Sequence, residues 1–219
     1  MTQQFTHHRP NDIISGLLHL IGFGLSVAAL VLLIVFAQTG AQVTTVTIFG
    51  SGLLLLYFAS SVYHLFPPHR ARTKAMLRIF DHLMIYVLIA ATYTPICVVV
   101  IGGAWGWSLF GVGWGLALLG IVMTAFPRLR PPVWFSVMHY LAMGWLVVFA
   151  LPVVMQTISA SLFFWLLLGG VCYTVGAICF GLSFIWKPRW FGWHEVFHLL
   201  VIAGSFCHFW FLLSYLRVA

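Results

Sequence analysis

Ten histidines stand against only three acids in this chain, Asp12, Asp81 and Glu195. His194 and His198 are four residues apart, so on a helix their imidazoles share one face at about 6 Å, close enough to bind one metal ion. His64 can supply a third ligand. Three protein ligands with an open fourth position describe a catalytic zinc rather than a structural one. Imidazole suits zinc, whereas magnesium and calcium need more oxygen ligands than three acids offer. Ser60 lies one helical turn before His64. With Asp81 it can hold a water beside the metal, the carboxylate taking the water's proton as it attacks a carbonyl carbon. The bland readings are a helix cap for Asp81 and a small packing residue for Ser60. His194-Glu195-Val196-Phe197-His198 also matches H-E-x-x-H, in which the Glu is the general base of a metalloprotease. An intramembrane protease needs a later aspartate as well, and Asp81 is the last one in the chain.

The elements that must carry these residues follow from composition. Of 219 residues 63% are apolar or aromatic and 6% charged, with a mean hydropathy of +1.07. A soluble domain carries about 25% charged residues and cannot hide this much apolar surface. Soluble enzymes, disordered tails, coiled coils and nucleic-acid modules are excluded, and no short alternating segments suggest a barrel. The composition predicts an all-α membrane protein, a seven-transmembrane helix bundle forming one domain over 1–219. Its spans, each near the 20 apolar residues a crossing needs, fall at about 13–36, 43–66, 82–101, 105–126, 133–155, 160–186 and 192–215. The first apolar stretch is too long for the core of a cleaved signal peptide. The breaks are punctuated by Gln38-Thr39-Gly40, Pro67-Pro68, Gly102-Gly103, Pro127 to Pro132 and Lys187-Pro188-Arg189. Between the fifth and sixth spans the boundary, near 156–161, is the least marked.

Positive charge sets the topology. With seven spans, Arg9, Arg70, Arg72, Lys74, Arg78, Arg128, Arg130, Lys187 and Arg189 fall on one side and Arg217 on the other. The positive-inside rule makes the basic side cytoplasmic, with the N-terminus inside and the C-terminus outside, in the inner (plasma) membrane of the cell. The net charge of +7 is thereby a topology signal, and no compact basic domain exists to bind nucleic acid. Trp186, Trp190 and Trp193 on one face and Trp105 and Trp107 on the other mark aromatic belts. Cys97, Cys172, Cys179 and Cys207 fall inside spans and read as small buried apolar residues rather than a disulfide framework. Gly22, Gly24, Gly169, Gly170 and Gly176 read as points of close helix approach. Up-and-down connectivity brings Ser60, His64, Asp81, His194 and His198 to one depth from three helices. His7, His8, His69 and His82 read as interfacial groups. His19, His139 and His208 lie inside spans.

These residues also carry a family resemblance over nearly the whole chain, from Asp12 to Tyr215. Its parts are Ser60-Ser61-Val62-Tyr63-His64, Phe80-Asp81-His82, Ala91-Thr92-Tyr93-Thr94-Pro95, Tyr140-Leu141-Ala142-Met143-Gly144-Trp145, and His194-x3-His198 followed by His208-Phe209. The chain resembles the bacterial hemolysin III-like proteins, related to the progestin and adipoQ receptors within a superfamily that includes the alkaline ceramidases. The resemblance implies seven spans with the N-terminus inside. It also implies a zinc held by His64, His194 and His198 near the cytoplasmic face, with Ser60 and Asp81 beside the metal's open position. The first span departs from the pattern: bacterial relatives tend to show Glu-x-x-Asn before His-x-x-Gly, and here Asp12 and Ser15 precede His19-Leu20-Ile21-Gly22. The resemblance thus assigns Asp12 no role.

The leading expectation is a zinc-dependent hydrolase of a lipid amide or ester, its partners being membrane lipids. The polar head enters from the cytoplasmic leaflet and the acyl chain lies between helices. A receptor or membrane-homeostasis factor with a structural zinc is the second reading. A channel-like protein or cytolysin is the third. It lacks both a pore-forming segment and, apart from His208, ionisable groups at the centre of the spans.

Overall fold

The computed structural model describes the backbone of residues 10–186 and 191–218. The sequence readings placed on His7, His8, Arg9, Lys187, Pro188, Arg189 and Trp190 lie outside the described residues. The described residues are mainly helical, with no strand among them, and they include seven helices long and apolar enough to cross a membrane. The elements are α1 (Pro10–Phe36), α2 (Gly40–Leu65), α3 (Ala71–Pro95), α4 (Gly103–Ala125), α5 (Val133–Gly144), α6 (Leu151–Thr157), α7 (Ala160–Leu182) and α8 (Trp193–Leu216). A π-helical segment, Ile96–Ile101, prolongs α3, and a 3₁₀ segment, Leu146–Ala150, joins α5 to α6 as two halves of the fifth crossing.

Local chemistry explains the ends. Thr39 and Gln42 form a capping box, Thr39 Oγ1 accepting from the Gln42 amide at 3.2 Å and Gln42 Oε1 from the Thr39 amide at 3.2 Å. Phe66 is extended, as a residue before Pro67 must be. Gly102 and Gly103 have φ of 63° and 56°, a left-handed turn that glycine enters without steric cost, and it reverses the chain between α3 and α4. Ser159 caps α7 through the Leu162 amide at 3.3 Å.

One boundary departs from expectation. The third crossing starts at Ala71 and not near 82. Its first turns carry Arg72, Lys74 and Arg78, which a hydropathy window rejects but a helix at the membrane edge accommodates by extending their heads toward water. Asp81 therefore sits well inside α3, and the reading of it as a cap is wrong.

α2, α3 and α8 form the centre of the bundle, with 56%, 61% and 50% of their apolar windows buried, against 28% or less for the other crossings. α1 packs on α2 and α8, α7 on α8, and α4 on α3. The α5–α6 crossing touches its neighbours only sparsely. Ile21, Val35, Phe149 and Ile185 are among many large apolar side chains exposed at the periphery, a surface suited to lipid rather than water.

Polar ties hold the centre. Tyr57 Oη donates to Ser205 Oγ at 2.7 Å, and Tyr173 Oη lies 2.8 Å from the same oxygen, linking α2, α7 and α8. Tyr93 Oη donates to the Gly144 carbonyl at 2.8 Å and accepts from the Val147 amide at 3.0 Å, satisfying backbone groups that the break after α5 leaves open. Close approach holds at some glycines and not others. An added Cβ at Gly22 would meet the Tyr57 ring at 2.8 Å and at Gly169 the His208 ring at 2.4 Å. At Gly176 the neighbours lie at ordinary contact distance, from 3.4 Å. Gly24 and Gly170 have nothing within 4 Å, so the close-approach reading fails there. Cys97, Cys179 and Cys207 are buried and Cys172 is half-buried.

Candidate metal centre

α1 begins, α2 ends, α3 begins and α8 begins at the same end of the bundle, the end that also carries the described basic residues Arg70, Arg72, Lys74, Arg78, Arg128 and Arg130. His64 occupies the last turn of α2. His194 and His198 occupy the first two turns of α8. Each offers one ring nitrogen, and the three nitrogens lie within 4.8 Å of one another. His64 and His198 are buried, His194 half-buried. The ring centroids are 4.7 Å apart for His194 and His198, 4.9 Å for His64 and His198, and 5.3 Å for His64 and His194.

This donor set fits a single ion. Two nitrogens each 2.0–2.1 Å from a tetrahedral zinc stand about 3.3 Å apart, and Nε2 of His194 and Nε2 of His198 are 3.1 Å apart. The far nitrogen of His64 fits as well. Nδ1 of His198 and Nδ1 of His64 are buried without a hydrogen-bond partner, but Nδ1 of His64 faces Asp12 Oδ1 at 3.5 Å, just beyond bonding reach. A carboxylate behind a ligand imidazole is the usual outer support of a metal site. Asp12 is in turn held by Lys74, whose Nζ donates to Asp12 Oδ2 at 3.0 Å and to the Phe66 carbonyl at 3.2 Å, above the Tyr63 ring.

Of the other sequence-predicted residues, Ser60 and Asp81 are both buried beside the cluster. The Ser60 hydroxyl faces the Asp81 carboxylate, which is within electrostatic reach of His64 and Arg78. Neither belongs to the converging nitrogen set. His208 lies deeper, its Nε2–H donating to the Leu166 carbonyl at 3.3 Å. His139 packs against Tyr86, away from the three histidines.

Three features were not read from the sequence. His19 packs against the His198 ring, tilted, at 3.9 Å between centroids and meets Tyr57 edge-on at 5.0 Å, a wall behind His198. Glu195 is fully buried; its Oε1 accepts from Ser15 Oγ at 3.0 Å and its Oε2 from the Gly192 amide at 2.7 Å. Asp12 stands behind His64. Asp12, Ser15 and His19 fall at i, i+3 and i+7, one helical face, and that spacing is the signal that could have found them. Gly16, on the same stretch of α1, lets the helix meet α2 here: a Cβ would lie 2.6 Å from Leu65 and 3.2 Å from the Cβ of His64.

The histidines open onto a cavity of about 950 Å³ lined by residues of α1, α2, α3, the α5–α6 crossing, α7 and α8. Asp81, Tyr140, Phe163, Tyr173 and His208 are among its lining residues.

Comparison with known proteins agrees with this arrangement. Residues 7–209 match the family model described as haemolysin-III related. The chain is similar to hemolysin-3 of Bacillus cereus, 34% identical over 215 residues, covering 97% of this chain and 94% of that protein. It is similar to the hemolysin-3 homolog of Bacillus subtilis (strain 168), 39% identical over 207 residues, covering 93% of each. A more distant similarity, 27% over 187 residues, covers 74% of this chain and 56% of the ADIPOR-like receptor IZH2 of Saccharomyces cerevisiae. With its seven apolar helices and a family match that takes in the histidine cluster, the chain belongs to the haemolysin-III-related family of multi-pass membrane proteins.

Proposed function

We propose that this protein is a zinc-dependent hydrolase of lipid amides or esters in the cell's inner (plasma) membrane. The observation that carries the reading is three imidazoles converging beside Asp81 and Ser60 on the wall of a cavity of about 950 Å³, a volume in the range of small-molecule sites. His64, His194 and His198 would hold the ion. Zinc, when bound, supplies a Lewis acid that polarises a carbonyl and acidifies a neighbouring water. Asp81 accepts the proton of that water as its oxygen forms a bond to the carbonyl carbon. It then passes the proton to the nitrogen or oxygen of the leaving group as the C–N or C–O bond breaks, releasing a fatty acid and an amine or alcohol. The Ser60 hydroxyl, which faces the Asp81 carboxylate, would fix its direction. Apolar lining from α3 and α7, such as Leu88 and Phe163, shelters the acyl chain. Glu195 is poorly suited to serve as a protease base, since both its carboxylate oxygens accept hydrogen bonds that tie α1 to the start of α8.

The test is zinc content together with release of fatty acid from ceramide-like lipids by purified protein, beside Asp81→Asn. Zinc bound by both, with turnover only in the unsubstituted protein, is the expected result. Zinc without turnover in either leaves the second reading, a receptor or homeostasis factor whose zinc staples α2 to α8. That reading is favoured by the similarity to a protein named as a receptor.

A further inference from the structure

The cavity is not uniformly apolar at its basic end. Lys74, Arg78 and Arg130 all line it, and their partners differ. Asp12 is engaged by Lys74 and faces His64, while Glu195 is engaged by Ser15 and the Gly192 amide. Only Asp81 remains of the three acids. It feels the charge of Arg78, yet among the described residues the ion pairs within 4.0 Å both belong to Asp12. Among the described residues neither guanidinium has a carboxylate within ion-pairing distance. Arg130 Nε donates to the Thr124 carbonyl at 3.1 Å, which fixes the guanidinium at the end of α4, and among the described residues its two terminal nitrogens have no hydrogen-bond acceptor. Arg78 and Arg130 both act electrostatically on His82, which lines the same wall, so they flank one stretch of the cavity from two elements.

Topology alone asks only that basic residues lie at this end of the bundle. It does not ask that they face the cavity. Arg128, in the same turn as Arg130, does not line it, nor do Arg70 and Arg72. Guanidiniums present paired N–H donors that match phosphate oxygens, and a divalent cation at the histidines adds positive potential to the same space.

We propose that Arg78 and Arg130 form a binding site for a phosphate-bearing headgroup, so that the cavity takes an anionic lipid with its head between the two guanidiniums and its chain toward Phe163 and His208. This rests on reading the cavity as a lipid site and narrows the class of lipid it accepts.

The test uses the full-length protein in non-ionic detergent, with thermal melting and equilibrium binding as readouts. The probes are dioctanoyl phosphatidic acid, dioctanoylglycerol and inorganic phosphate. Phosphatidic acid is expected to bind saturably and raise the melting midpoint, and dioctanoylglycerol is not. Arg78→Gln and Arg130→Gln each weaken phosphatidic acid binding about tenfold, while Arg128→Gln leaves it unchanged. Inorganic phosphate that binds as tightly as the lipid, with the same dependence on Arg78 and Arg130, supports the anion site and assigns it to a soluble phosphate. Equal loss in Arg128→Gln, or equal binding of dioctanoylglycerol, overturns the proposal. Binding does not depend on turnover. Phosphatidic acid bound by a protein that cleaves no lipid defeats the hydrolase reading alone. Ceramide-like turnover untouched by both arginine variants, with no phosphatidic acid binding, defeats this one alone.

Discussion

Each of the three histidines has a different support, and the supports predict different losses. His198 is walled by His19, His194 is half-exposed, and His64 has Asp12 behind it. Replacing His198 or His64 by Ala removes a ligand and is expected to bring zinc from about one per chain to near zero, measured by elemental analysis of purified protein. Asp12→Asn keeps all three ligands and loses only the charge facing Nδ1 of His64. Outer-shell changes of this kind cost about 10–100-fold in metal affinity. Competition with a chromophoric chelator measures it, and unchanged affinity would make Asp12 only an anchor for Lys74. Lys74→Met separates these roles, since it removes the anchor and leaves the carboxylate facing His64.

At the scale of elements, the site exists because helix ends meet. α2 delivers His64 in its last turn and α8 delivers His194 and His198 in its first two, so anything that displaces α1 from between their neighbours disturbs the cluster. Gly16 and Gly22 are the contact points, against Leu65 and Tyr57. Gly22→Leu overfills a close contact and should destabilise the protein by about 1–3 kcal/mol, read as a lowered unfolding midpoint in detergent. Gly24→Leu, on a face with open space, should leave the midpoint unchanged. The break in the fifth crossing follows the same logic, because Tyr93 satisfies the carbonyl of Gly144 and the amide of Val147 there. Tyr93→Phe leaves both groups short of a partner inside the bundle, at a cost of about 1–3 kcal/mol.

For the whole molecule, the charge asymmetry carries the prediction. The described cations gather at the end that holds the histidines, apart from Arg217, which lies over the Phe36 ring at the opposite end. By the positive-inside rule the candidate metal site is expected at the cytoplasmic leaflet and the C-terminus outside. An alkaline phosphatase fused after Ala219 should be active in cells and a fluorescent protein fused there dark. The reverse pair of results would place the site at the outer leaflet.

The class of protein was decided by composition, since no arrangement of 63% apolar residues lets a chain of this size dissolve. The spans followed from the length of apolar runs, and the His194–His198 pair from a spacing of four on one helix. Those are local properties, fixed by residue type and helical period. The start of the third crossing escaped because hydropathy measures transfer to lipid and not helicity, so charged turns at a membrane edge look like loop. Asp12, Ser15 and His19 escaped because a helical face gains its meaning from what packs on it. Only the close approach of α1 to α2 and α8 made one acid a support for His64 and one histidine a wall for His198. The cavity, and which arginines face it, depend on how far the fifth crossing stands from its neighbours, and that distance is a balance of packing across the bundle written in no single segment.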